Sequence, residues 1–214
     1  MKMAVHDVPP LACFQRFVRA MRELWELELA DEERWQRVRA LLPMLLDDPE
    51  LRELAGGWAE TRAADGKHTN LLLYEDPQHG FVVNALVKGP GAATPVHDHA
   101  HTWTAYSVIY GAERVVRYQL EKEVPPGSVA ELTEVGSYMV EPGFVDVVPP
   151  RLPHAEYVGD SRTVALIVRS ARVGGFEQRM WNHKTHVHFL APGPEQVPYE
   201  FTFPGISRSR SAFP

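Results

Sequence analysis

The chain has 214 residues, 44% of them hydrophobic and 23% charged, which suits one sizeable core of ordinary globular composition. Its formal net charge of -6 argues against nucleic acid as the main partner. A single cysteine, Cys13, excludes an intrachain disulfide; with no long apolar span and no apolar leader at the N-terminus, the expectation is a cytoplasmic protein that engages no membrane.

Residues 10–56 read as helical. Leu11, Phe14, Val18, Met21 and Trp25 fall on one face at helical spacing. Trp35, Val38, Leu42 and Leu45 repeat the pattern behind an acidic start at Asp31, Glu32 and Glu33. Asp48 and Pro49 supply an N-cap and a first-turn proline, and Gly56-Gly57 a stop. This segment carries no chemistry and is expected to pack as a layer on a sheet.

After Gly57 the period falls to two. Segments 71–74, 81–88, 103–110, 114–120, 137–140, 145–148 and 163–169 read as short strands. Turn signals such as Asp76-Pro77, Gly89-Pro90 and Gly159-Asp160 separate them. Many short strands at close spacing imply a sandwich or barrel. The expected organisation is a helical layer over 1–60, a β-domain over 61–182, and an irregular proline-rich extension over 183–214, in one compact unit.

Two histidine segments carry the chemistry. The first runs Gly91-Ala-Ala-Thr-Pro-Val-His97-Asp-His99, and the second runs Gly143-Phe-Val-Asp-Val-Val-Pro149-Pro-Arg-Leu-Pro-His154. Residues two apart on a strand face the same side, so His97 and His99 project together and Asp98 away from them. Prolines 149, 150 and 153 stiffen the approach to His154. His101 continues the alternation and is placed at the rim. His183, His186 and His188 form a second group with no scaffold for a metal, and a solvated or hydrogen-bonded role is expected for them.

These two segments together resemble the paired motifs of the cupin superfamily. The resemblance covers about residues 80–170 and implies a mainly β fold, a double-stranded β-helix or jelly-roll-like barrel, with the N-terminal helical layer beside it. It also implies that His97, His99 and His154 bind one divalent metal. The glutamate common four or five residues after the second histidine is absent, since Trp103 and Thr104 stand there. Three neutral imidazoles leave the full charge on the ion, which favours an anionic substrate that binds the metal directly. Imidazole ligands suit iron, zinc, copper or nickel; iron(II) gives oxygen chemistry and zinc a polarised water.

A narrower resemblance is to the thiol dioxygenases, the cysteine dioxygenase branch of the cupins. It rests on the helical N-terminus, the run Asn70-Leu-Leu-Leu-Tyr74, the His97-Asp-His99 pair, and the Gly111-Ala-Glu-Arg-Val-Val-Arg-Tyr118 continuation. Members hold iron(II) with three histidines and add both atoms of dioxygen to a thiol sulfur. This chain departs from the pattern at three places. Thr69 stands where the family has a carboxylate-binding arginine, and Thr104 where animal members have a cysteine. Ala165-Leu-Ile167-Val-Arg169 replaces a Ser-x-His-x-Tyr strand.

Counting by two along the strands offers substitutes for the missing groups. Tyr106 reaches the metal-facing side as a catalytic hydrogen-bond donor. Lys88, Arg169 and Thr104 reach the same interior as substrate contacts. The leading expectation is an iron(II) dioxygenase that uses O2 on a small anionic thiol. The alternatives are a zinc, nickel or manganese cupin acting as isomerase, lyase or hydrolase, and a non-catalytic small-molecule binder.

Overall fold

A computed structural model describes residues 5–64 and 66–201. Four helices open the chain: α1 (Ala12–Trp25), α2 (Asp31–Leu41), α3 (Pro43–Leu46) and α4 (Pro49–Gly56). The side chain of Asp48 accepts from the Leu51 amide at 3.0 Å, so the predicted cap forms in front of Pro49. No described helix is long and apolar enough to cross a membrane.

Twelve strands follow: β1 (Asn70–Glu75), β2 (Val82–Lys88), β3 (Val96–His97), β4 (Thr104–Tyr110), β5 (Glu113–Leu120), β6 (Leu132–Val140), β7 (Asp146–Val148), β8 (His154–Val158), β9 (Thr163–Arg169), β10 (Glu177–Trp181), β11 (His188–Pro192) and β12 (Gln196–Pro198). They form two six-stranded sheets, ordered β12-β1-β2-β9-β4-β7 and β11-β10-β3-β8-β5-β6. Strands β2 to β9 pass between the sheets in jelly-roll order, with β5 and β6 forming a hairpin within one sheet, to give β2-β9-β4-β7 against β3-β8-β5-β6, which is the cupin-like arrangement. Neither sheet closes on itself. The expected barrel is instead a sandwich with edges at β12, β7, β11 and β6, because the chain passes between sheets through turns and not through a shared hydrogen-bonded strand.

The helical layer covers the outer face of the first sheet. Phe14, Phe17, Met21, Trp35, Leu45 and Leu51 share one core with Val83, Ala85, Ile109, Val164, Leu166 and Val168. Trp35 stacks on Trp103 with centroids 6.3 Å apart, and Arg22 Nε donates to Asp76 at 2.7 Å. The opposite faces of the same strands carry Tyr106, Val108, Ala165 and Ile167 in an inner core. β9 is therefore buried on both sides along its whole length, and it reads in sequence as a continuous apolar run.

The described part of the expected irregular extension beyond residue 182 contains two short strands. β11 pairs with β10, and β12 runs parallel to β1 through Asn70↔Gln196. These strands gave no period-two signal because they are short edge pieces. Pro192 and Pro198 sit at strand ends, where a missing amide costs little. Residues 202–214 lie outside the described part of the chain.

The β4–β5 turn sets the crossing between the sheets. Gly111 has φ 78, and a Cβ there would lie 2.6 Å from the Arg162 carbonyl and 2.8 Å from Thr163 Cγ2. Gly111→Ala is expected to destabilise the fold by roughly 2–4 kcal/mol, combining left-handed strain with a clash against backbone. Urea unfolding of the two proteins measures it.

Candidate metal centre

Two of the three histidines come from short strands of the second sheet, and His99 from the loop that follows β3. His97 ends β3 and pairs directly with His154, the first residue of β8. His99 follows two residues later, with both its own and the His154 ring buried. The ring centroids stand 4.5, 4.7 and 5.2 Å apart, and one ligand atom from each lies within 4.8 Å of the others.

Each ring is oriented through Nδ1. His97 Nδ1 meets the Pro95 carbonyl at 3.0 Å, and His154 Nδ1 meets the Leu152 carbonyl at 2.9 Å. A carbonyl only accepts, so these rings carry their proton on Nδ1 and their Nε2 lone pair is free. His99 Nδ1 meets Thr104 Oγ1 at 3.0 Å, and the hydroxyl can accept in the same sense. His154 Nε2 is buried without a hydrogen-bond partner among the described residues. Burial holds the His97 imidazolium down to about 4, with His154 adding repulsion, and it pushes His99 well below and His154 below the usual histidine value. All three are neutral bases at neutral pH, the form a transition metal requires. The donor set therefore fits a metal ion held on Nε2 of each ring.

The histidines open on a cavity of about 560 Å³ between the sheets. Leu86, Val115, Val148, Ile167, Met180 and Phe189 supply apolar wall. Of the four further residues predicted for the site, Tyr106, Arg169 and Thr104 line this cavity and Lys88 does not. The Tyr106 hydroxyl is buried and unpartnered. Burial raises its pKa well above the ordinary tyrosine value, and the carboxylates of Glu113 and Glu156 raise it further. Arg169 is 5% exposed, with Nε and Nη1 both unpartnered, and burial lowers its pKa to about 10.

Two of the expected substrate contacts have other partners. Lys88 Nζ donates to Glu113 at 2.5 Å and to Glu156 at 3.0 Å, so its ammonium is committed to a buried ion triad. Thr163 donates to the second Glu113 oxygen at 2.6 Å. The hydroxyl of Thr104 is turned onto His99, where it positions the ring. Counting by two placed both residues on the correct face; it could not reveal partners contributed by the opposite sheet.

The sequence reading also missed Glu156. It lies two residues after His154 on β8, so the His-x-Glu alternation was the available signal. Its Oε1 is 4.0 Å from His154 Nε2. Burial raises its pKa, but Lys88, with His97 and His154, outweighs burial and holds the carboxyl down to about 2. The polar wall thus includes a carboxylate beside the imidazoles. Asp98, projecting away as predicted, is buried and accepts from Arg179 Nε at 2.5 Å.

The other histidines have local roles. His101 packs on Phe176 with centroids 4.4 Å apart. His183 bonds the Thr94 carbonyl, and His188 bonds the Val124 carbonyl at 2.9 Å while stacking on Trp181.

No protein-family model matches the chain. Among solved structures it is similar to Peruvianin-I, a cysteine peptidase from Thevetia peruviana latex, at 17% identity and a TM-score of 0.37 over 48% of this chain and 60% of that one. It is similar to the Schizosaccharomyces pombe Cnp3 cupin domain at 12% identity and a TM-score of 0.38, over 48% of this chain and 60% of that one. It is also similar to an oxalate oxidase in complex with the substrate analogue glycolate, at 23% identity and a TM-score of 0.36, over 48% of this chain and 49% of that one. The chain spans at most 60% of each of these structures. At such identities and scores they assign neither a family nor an activity, and the site's own geometry is what bears on function.

His154→Ala is expected to abolish stoichiometric binding of a transition metal, because two imidazoles cannot close the three-nitrogen face. Metal analysis of the variant after loading and desalting checks it. Lys88→Met should cost about 3–5 kcal/mol in urea unfolding, since it leaves two buried carboxylates facing each other without their cation.

Proposed function

We propose that the chain is an iron(II)-dependent dioxygenase of the thiol dioxygenase type, converting a small anionic thiol to a sulfinate with O2. The observation that carries this reading is the set of three neutral imidazoles with Nε2 turned inward, beside the unpaired, buried guanidinium of Arg169. A neutral nitrogen face adds no charge to a divalent ion and the nearby Glu156 is tied to Lys88, so a thiolate ligand offsets the ion's charge directly. Iron(II) held on His97, His99 and His154 would supply dioxygen activation and transfer of both oxygen atoms to sulfur. The conversion RS⁻ + O2 → RSO2⁻ is balanced: sulfur supplies all the electrons that reduce dioxygen, and no external reductant enters.

The chain's own residues do the rest. Arg169 holds the substrate carboxylate through two parallel N–H donors at a point that water does not screen. Its strand neighbour Thr104 orients His99, so anion site and metal site are tied through one register pair, Thr104↔Arg169. Tyr106 keeps its proton at neutral pH, and its unpartnered hydroxyl is the donor available to a substrate group in the cavity. Lys88 holds Glu156 ionised and turned into the ion triad. The apolar walls exclude water from a reactive sulfur centre.

Metal analysis of freshly purified protein, followed by oxygen uptake with a panel of mercapto acids and aminothiols, tests the reading. Bound zinc, nickel or manganese with no oxygen uptake by the iron-loaded form would favour a redox-inert reaction at the same site. Arg169→Leu should raise the Michaelis constant for a mercapto acid by about tenfold or more while iron content is retained, because a charged hydrogen-bonded contact contributes about 1.5–3 kcal/mol. Better turnover of an acid-free aminothiol than of every carboxylate would count against the anion site.

A further inference from the structure

The cavity holds more unsatisfied polar atoms than a simple mercapto acid can use. Gln178 and Asn70 line it at 1% and 0% exposure, and in both carboxamides the nitrogen and the oxygen lack any partner among the described residues. Buried amides in folded proteins are nearly always paired, and leaving one unpaired costs about 1–3 kcal/mol per group. By contrast, Asp146 and Glu156 on the same wall are paired with Arg117 and Lys88. The backbone of Asn70 is also satisfied, its amide donating to the Glu195 carbonyl at 2.8 Å. The orphaned atoms belong to side chains that line the cavity.

Gln178 is placed beside the imidazoles. β10 runs antiparallel to β3 with Met180 opposite His97, so Gln178 falls beside the position of His99. Asp98 N donates to the Arg179 carbonyl at 3.1 Å and holds that register past the end of β3. Arg169 approaches the same imidazole from the other sheet through Thr104. Gly193 packs against the carboxamide: a Cβ there would stand 3.4 Å from Gln178 Oε1.

A second carboxylate on the ligand would satisfy only the amide nitrogens. Two carboxamides with both atoms open call for a group that donates and accepts, and a secondary amide does both. The volume agrees. About 560 Å³ falls within the range of roughly 300–1,000 Å³ that holds drug-sized ligands, and the simplest mercapto acids leave most of it empty.

We propose that Gln178 and Asn70 form an amide-recognition subsite, and that the substrate class is N-acylated aminothiol carboxylates, with the acyl chain along Met180 and Phe189. The proposal rests on the thiol carboxylate reading of the cavity for its ligand class. The subsite itself depends only on the two carboxamides.

The test is anaerobic calorimetry on iron(II)-loaded protein with N-acetylcysteine and β-mercaptopropionate, which differ by the acylamino group. N-acetylcysteine should bind about tenfold or more tightly, and methylation of its amide nitrogen should remove most of that preference. Gln178→Leu should collapse the ratio toward one. Gln178→Glu, which keeps shape and acceptors but loses the donors, should collapse it in part and serves where the leucine variant does not fold. Equal affinities in the unaltered protein, or a preference that survives both substitutions, would overturn the proposal. N-acetylalanine and propionate on metal-free protein, read by thermal shift, repeat the comparison without thiol or metal. A Gln178-dependent amide preference with no oxygen uptake leaves the subsite standing and removes the dioxygenase reading. Oxygen uptake with β-mercaptopropionate and no amide preference does the reverse.

Discussion

Two hydrogen bonds from imidazole to backbone govern the rest of the site. His97 and His154 each give their Nδ1 proton to the carbonyl two residues earlier, at Pro95 and Leu152. The device is local and needs no second-sphere carboxylate, the more familiar partner of a ligating histidine. It fixes the tautomer, aims Nε2 inward and itself adds no negative charge to that of Glu156. Burial then keeps the rings unprotonated. Moving either carbonyl would change which nitrogen faces the cavity, and with it the ability to ligate.

The same economy appears in the charges that surround the imidazoles. Lys88, Glu113 and Glu156 neutralise one another in part within the inner layer, and Thr163 takes up a remaining acceptor. Arg169 is left as the guanidinium without such a partner among the groups that line the cavity. A buried ion triad is a poor source of stability, because desolvation offsets much of its attraction. Its effect here is on charge placement: it engages Lys88 and fixes the carboxylates of Glu113 and Glu156, while Arg169 keeps no such partner.

Much of this was legible in the sequence and some was not, for physical reasons. The capped helix at Asp48-Pro49 and strands such as β2, β4 and β9 follow from local periodicity, and the His97, His99 and His154 set follows from spacing plus resemblance. Faces were also readable, which is how Tyr106 and Arg169 were placed on the cavity side. Lateral neighbours were not. The partner of Lys88 depends on how β5 and β8 of one sheet meet β2 of the other, and no one-strand pattern encodes that. Strands β10 to β12 were invisible because pieces of three to five residues are too short to show alternation, and β11 and β12 also end in proline. Gln178 went unnoticed with them. The closed barrel was expected from strand count and resemblance, whereas closure depends on pairing between edge strands that strand count leaves open.

The position of β10 bears on how the protein is made. His97 sits in a two-residue strand held on one side by His154 and on the other by Met180, which lies more than eighty residues further along the chain. During synthesis the helical layer and the first strands leave the ribosome well before that support exists. The nascent chain therefore carries a half-built cavity wall with exposed ladder groups on β3. Long-range pairings of this kind are closed late, at the cost of slower folding. The three-imidazole face therefore has both of its lateral supports only once β10 has been made.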